Sequence, residues 1–114
     1  MKRDMDLIRA LLLKVEGEEP QVLSCWTEGQ QVEHMALLVE AHLVHGEIIF
    51  DSQGNVGTVL FTRLTWDGHE FLASARDANI WMQTKDKIRT IGSSVAWPVL
   101  TAIMTDLVKK QIGI

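Results

Sequence analysis

The chain has 114 residues, a formal net charge of −4 and one Cys, with 46% apolar and 23% charged residues. That size is enough for one core that buries roughly 65% of the unfolded surface without staples, and the composition excludes a disordered chain or a disulfide scaffold. No apolar run approaches the roughly 18 to 20 residues of a membrane span, and Asp4, Asp6, Arg9 and Lys14 interrupt the start too often for a signal peptide, so the expectation is one cytoplasmic domain over residues 1–114 with no membrane partner.

From Asp4 to Glu16, apolar residues recur at Met5, Ile8, Leu12 and Val15, with Leu7 and Leu11 beside them. This spacing predicts a helix, capped by Asp4 and ended at Gly17. Gln21–Trp26, "QVLSCW", is short and rich in β-branched and aromatic residues, which predicts a strand with Cys25 in the core. Thr27 and Gln30 have capping-box spacing. The helix they open places Val32, Met35, Val39 and Leu43 on one face, with Leu38 beside them.

"GEIIF", "DSQGN" and "VGTVLFTRLT" then read as a β-hairpin with a loop of about five residues. Strict alternation would put Val59 and Phe61 on one face and Val56, Leu60 and Leu64 on the other. Thr65 follows as a helix cap, with Asp67 at the positive end of the helix dipole and Gly68 able to pack closely against the sheet. A further helix starts near Asp77 and carries Trp81, Ile88 and Ile91; a last one carries Trp97, Leu100, Ile103, Met104, Leu107 and Val108, with Pro98 in its first turn. The predicted class is α+β, mostly helical. It has a winged-helix-like core (helix, strand, helix, β-hairpin wing; residues 1–64) followed by two or three C-terminal helices (65–114).

Four segments, "MKRDMDLIR" (Met1–Arg9), "HMALLVEAHLV" (His34–Val44), "RLTWDGHEFL" (Arg63–Leu72) and the spaced Arg76, Trp81, Thr84 and Lys85, resemble a family of small bacterial and phage proteins known only as a domain of unknown function. The resemblance runs from the start to about residue 90. It implies phage or prophage ancestry and a winged-helix-like core, and it transfers no catalytic residues. The family pattern has Gly where this chain has His42, at the turn from helix into wing. His enters the left-handed region more readily than most residues, so the turn is expected to survive with some strain, or the helix to run on.

Charge weighs against nucleic acid. Residues 15–62 carry eight carboxylates and no Lys or Arg, whereas affinity for nucleic acid rests on neutralising phosphates. A docking helix exposing Glu28, Glu33, His34 and Glu40 would meet phosphate with carboxylate. Under the alternative reading, a DNA-binding regulator of the winged helix-turn-helix type, the contacts would come from Gln30, Gln31 and His34, and from the basic cluster Lys85, Lys87 and Arg89.

Cys25, His34, His42, His45 and His69 lack any recognised zinc spacing, and neither GxGxxG nor GxxxxGK[ST] occurs. No catalytic residue, metal or cofactor is expected. Four Trp and two apolar strand faces are more than one small domain covers easily, and exposed apolar patches mark interfaces. The expected partner is a second copy, in a homodimer through the C-terminal helices at Trp81, Trp97, Leu100, Met104 and Leu107, with a further protein partner that the sequence does not name.

Overall fold

The computed structural model describes residues 3–17, 23–91 and 97–113. Among the described residues, five helices and a two-stranded antiparallel hairpin follow in the order α1 (Met5–Val15), α2 (Glu28–Glu40), β1 (Val44–Phe50), β2 (Val56–Leu64), α3 (Trp66–Ala75), α4 (Ala78–Ile91) and α5 (Trp97–Gln111). The mostly helical α+β class therefore holds, with three helices after the hairpin. The chain resolves into two compact units, Met1–His69 and Glu70–Ile114, and the division falls inside α3.

In the first unit, α1 begins where expected. The Asp4 carboxylate accepts the backbone N–H groups of Asp6 and Leu7, donors that a helix start leaves without partners. Leu7, Ile8, Leu11 and Leu12 are buried along one stripe, each contributing roughly 1.5–3 kcal/mol by leaving water. Leu23–Trp26 is a turn, closed by the Trp26 N–H on the Leu23 carbonyl at 3.1 Å, where a strand was predicted. The first residues of that predicted strand, 21 and 22, lie outside the described residues. β-Branched and aromatic content signals a pleated, half-buried surface, but among the described residues no strand pairs with this segment. Cys25 is accordingly exposed, not in the core.

The capping box at Thr27 and Gln30 is present in full. α2 buries His34, Ala36 and Leu38, while Val32, Met35 and Val39 are only half-buried. The stripe is thus rotated from the predicted one, and His34 belongs to it. The helix stops in a Schellman motif: the His42 N–H reaches the Val39 carbonyl at 3.1 Å and the Leu43 N–H reaches the Leu38 carbonyl at 3.0 Å. His42 has φ +60°, so the turn survives with His in the left-handed region. That region costs an L-residue roughly 1–2 kcal/mol, more than the roughly 0.4–1 kcal/mol by which Gly loosens the unfolded chain. His42→Gly is therefore expected to stabilise the protein by about 0.5–1 kcal/mol, seen as a raised urea midpoint at unchanged slope.

The hairpin has the predicted five-residue loop, Asp51–Asn55, with Asp51 Oδ1 accepting from the Gln53 and Asn55 backbones. One detail overturns the strict alternation. His45 pairs with Arg63 and Gly46 with Phe61, so Thr62 is an extra residue in β2; Gly57 is a second, between the Ile49–Thr58 and Phe50–Val56 pairs. An inserted residue reverses which face the following side chains occupy. Leu64 is therefore buried with Val59, while Leu60 stays exposed.

In the second unit, the Asp77 carboxylate caps α4 at Asn79 and Ile80 and accepts the Gln111 amide at 3.0 Å. The bond from Gln111, ahead of those from the backbone, holds the Asp77 carboxyl below the usual aspartate range. α5 packs on α4, with Ile80, Trp81, Leu100, Met104 and Leu107 buried. Phe71 meets Trp81 edge to face at 6.2 Å, a geometry worth about 1 kcal/mol beyond burial.

Candidate functional site

Around α2 the structure gathers residues that sequence reasoning treated separately. The backbone N–H of Asp4 donates to Nε2 of His34 at 2.8 Å, and Nδ1 of the same ring lies 2.8 Å from the Gln30 carbonyl. Because Nε2 accepts, Nδ1 must carry the hydrogen and donate. Trp26 Nε1 donates to Asp4 Oδ2 at 2.9 Å. Gln31 Nε2 donates to the carbonyls of Leu23 and Trp26, both at 3.0 Å. Asp4 thus caps α1, anchors the Trp26 indole and seats the His34 ring, so one residue ties the starts of two helices to the turn between them.

This network changes the standing of the three α2 residues considered for nucleic-acid contact. His34 is 1% exposed, so it has no accessible edge to offer. Gln31 is half-buried with its amide nitrogen engaged twice, and Gln30 is exposed but uses its side-chain oxygen in the capping box. The charged side chains that α2 turns outward are Glu28, Glu33 and Glu40. Only the spacing of His34 four residues before Leu38 hinted at its place in the buried stripe.

Of the basic cluster, Lys87 and Arg89 are exposed and Lys85 is half-buried; Arg89 Nη1 lies 3.4 Å from Asp86 Oδ1. The proposed helical interface is placed differently from expectation. Trp81, Leu100, Met104 and Leu107 are buried within the chain itself, so they offer no surface to a partner. The Trp97 side chain lies outside the described residues. Alternating helical hydrophobics mark burial without saying whether a neighbouring helix or another chain does the burying.

Exposed apolar side chains lie on the hairpin and just after it, and in the second unit at Met82, Val99 and Ile112. The side of the sheet away from α2 carries the cross-strand pairs His45–Arg63, Glu47–Leu60 and Ile49–Thr58. Ile49 is 42% exposed, Leu60 54%, and Phe50 at the tip 57%. Trp66, the first residue of α3, is 78% exposed. Between α1, α2 and β2 lies a cavity of about 250 Å³ lined by Leu11, Lys14, Val15, Gln31, Met35 and Phe61. Its polar lining among the described residues is the Lys14 amine and the Gln31 amide, whose nitrogen is already engaged. His69 Nδ1 lies 3.5 Å from Glu16 Oε1, both partly exposed. Among the described residues no three His, Cys, Asp or Glu side chains converge as a metal site requires. No helix is long and apolar enough to cross a membrane, among the described residues.

A family model described as a hypothetical protein, DUF2513, matches residues 2–94. An uncharacterized protein of Haemophilus influenzae strain Rd is 29% identical over 120 residues, covering 99% of this chain and 100% of that protein. No solved structure matches the chain.

Proposed function

This chain belongs to the DUF2513 family, whose description names no activity, and from that premise we propose that it is a non-enzymatic interaction module of a bacterial or phage cytoplasm. In this reading α1, α2 and the hairpin form a reduced winged-helix-like core that works by contacting protein, in the first place a second copy of itself. The observation that carries the reading is the exposed apolar group Ile49, Phe50, Leu60 and Trp66 on and beside the hairpin. A two-stranded sheet normally turns polar side chains to water on its open face, and aromatic residues are enriched where proteins meet.

Static light scattering across micromolar concentrations tests it, with a particle of twice the 12.8 kDa chain mass expected. A lone 12.8 kDa species that also captures no protein from a bacterial lysate would remove the reading.

The hairpin directly after α2 is the one feature that favours the alternative, a DNA-binding regulator. Against it stand the carboxylates that α2 exposes and the internal commitments of Gln31 and His34. Electrophoresis with random duplex at about 50 mM salt, where phosphate contacts are strong, is expected to give no shift. A shift that disappears as salt rises would favour the regulator.

A further inference from the structure

Resting on self-association as proposed above, we infer that the contact is made by the free edge of β1, paired antiparallel with β1 of a second copy about a two-fold axis at Ile48, to give a continuous four-stranded sheet.

The two edges of the hairpin are not equivalent. Both extra residues, Gly57 and Thr62, interrupt β2; α2 packs on both strands and α1 on β2. Bulges and a covering helix are the devices that protect a sheet edge. β1 has neither bulge nor proline over its seven residues, and Ile48 is the one residue from His45 to Phe50 not exposed. Its sequence, "VHGEIIF", combines β-branched and aromatic residues with one carboxylate, which is the composition of a strand that accepts another.

The side chains select the partner and the register. An antiparallel pair with two-fold symmetry must place one residue opposite its own copy, because hydrogen-bonded and non-hydrogen-bonded pairs alternate along the ladder. Centring on Glu47 would set two carboxylates face to face. Centring on Ile49 would oppose Glu47 to the partner's Asp51. Like charges directly opposite destabilise a sheet. Centring on Ile48 avoids both: the His45 imidazole faces the partner's Asp51, and Glu47 lies beside the partner's Ile49. The self-complementary charge pattern points to a second copy over an unrelated strand.

The test uses the full chain with Cys25→Ser, a change at an exposed position, combined with Ile48→Cys or Glu47→Cys. With the axis at Ile48, cysteines at 48 face each other at roughly 4.5–5.5 Å between Cβ atoms, whereas those at 47 lie diagonally at roughly 7–8 Å. Mild oxidation is expected to link the Ile48→Cys chains into a covalent dimer and leave the Glu47→Cys chains single. In parallel, hydrogen exchange on the unmodified protein is expected to show β1 amides without a partner in β2 gaining protection as concentration rises. A doubled mass by light scattering with no 48–48 link and no protection at the edge would overturn the β1 contact while leaving self-association intact. Linking at 47 in preference to 48 would overturn the register. A monomer at all concentrations would overturn both the contact and the dimer it rests on.

Discussion

Gly68→Ala is expected to destabilise the first unit by about 3 kcal/mol or more, or to prevent its folding. Overpacking a tight site typically costs about 1–3 kcal/mol when side chains can yield, and here the obstacle is backbone. A Cβ on Gly68 would overlap the Leu43 carbonyl oxygen. That carbonyl cannot move freely, because it accepts the Thr65 N–H at 3.0 Å, and the neighbouring His42 carbonyl accepts the Thr65 hydroxyl at 2.6 Å. The same hydroxyl accepts the Gly68 N–H at 3.0 Å, so cap, glycine and preceding turn form one backbone-to-backbone seat. Urea titration followed by Trp fluorescence checks the effect. Gly29→Ala is the control, since a Cβ there meets nothing closer than 3.9 Å and alanine favours a helix over glycine by up to about 1 kcal/mol. Two helical Gly→Ala changes should therefore have opposite signs. A Gly68→Ala protein within about 0.5 kcal/mol of the parent, the ordinary range for surface changes, would refute the close seat.

His34→Ala is expected to cost about 3 kcal/mol. Removing a fully buried side chain leaves a cavity, and it also strips the Asp4 N–H of its partner. Each buried polar group left unsatisfied costs about 1–3 kcal/mol. Trp26→Phe, which loses one hydrogen bond to Asp4 at the edge of the same network, is expected to cost about 1 kcal/mol. The ring itself gives a check independent of stability. Nitrogen-15 spectra of the imidazole are expected to show a protonated Nδ1 and an acceptor Nε2, the reverse of the tautomer that prevails in free histidine. An Nε2–H tautomer, or a loss below about 1 kcal/mol on His34→Ala, would mean that the Asp4 contact does not form.

These two residues also mark how far the sequence could be read. "RLTWDGHEFL" raises the question of why a strand passes into a helix without a linker. The cap at Thr65 and the need for a small residue at position 68 are both legible from residue type. The identity of the nearest neighbour is not: it is the Leu43 carbonyl, twenty-five residues back, with the Leu64 side chain of β2 next, at 3.4 Å. His34 is the opposite case. It sits in a helix whose apolar spacing suggested a face through Val32, Met35 and Val39. The ring turned inward because Asp4, thirty residues earlier, supplied an N–H at the right height.

The family pattern left a strained turn at His42 as one of two outcomes; local chemistry announced the helix starts at Asp4, Thr27, Thr65 and Asp77 and the hairpin loop at Asp51–Asn55. Each depends on groups only a few residues apart, so each is written in neighbouring positions. Which apolar residues would be covered, by what, and which face of β2 they would occupy were decided by contacts distant along the chain. Inserted Thr62 sent Leu64 inward and left Leu60 exposed, and α4 and α5 used up Leu100, Met104 and Leu107. The physical reason is that backbone capping is satisfied locally, whereas burial is a competition among all the surfaces that the folded chain brings together.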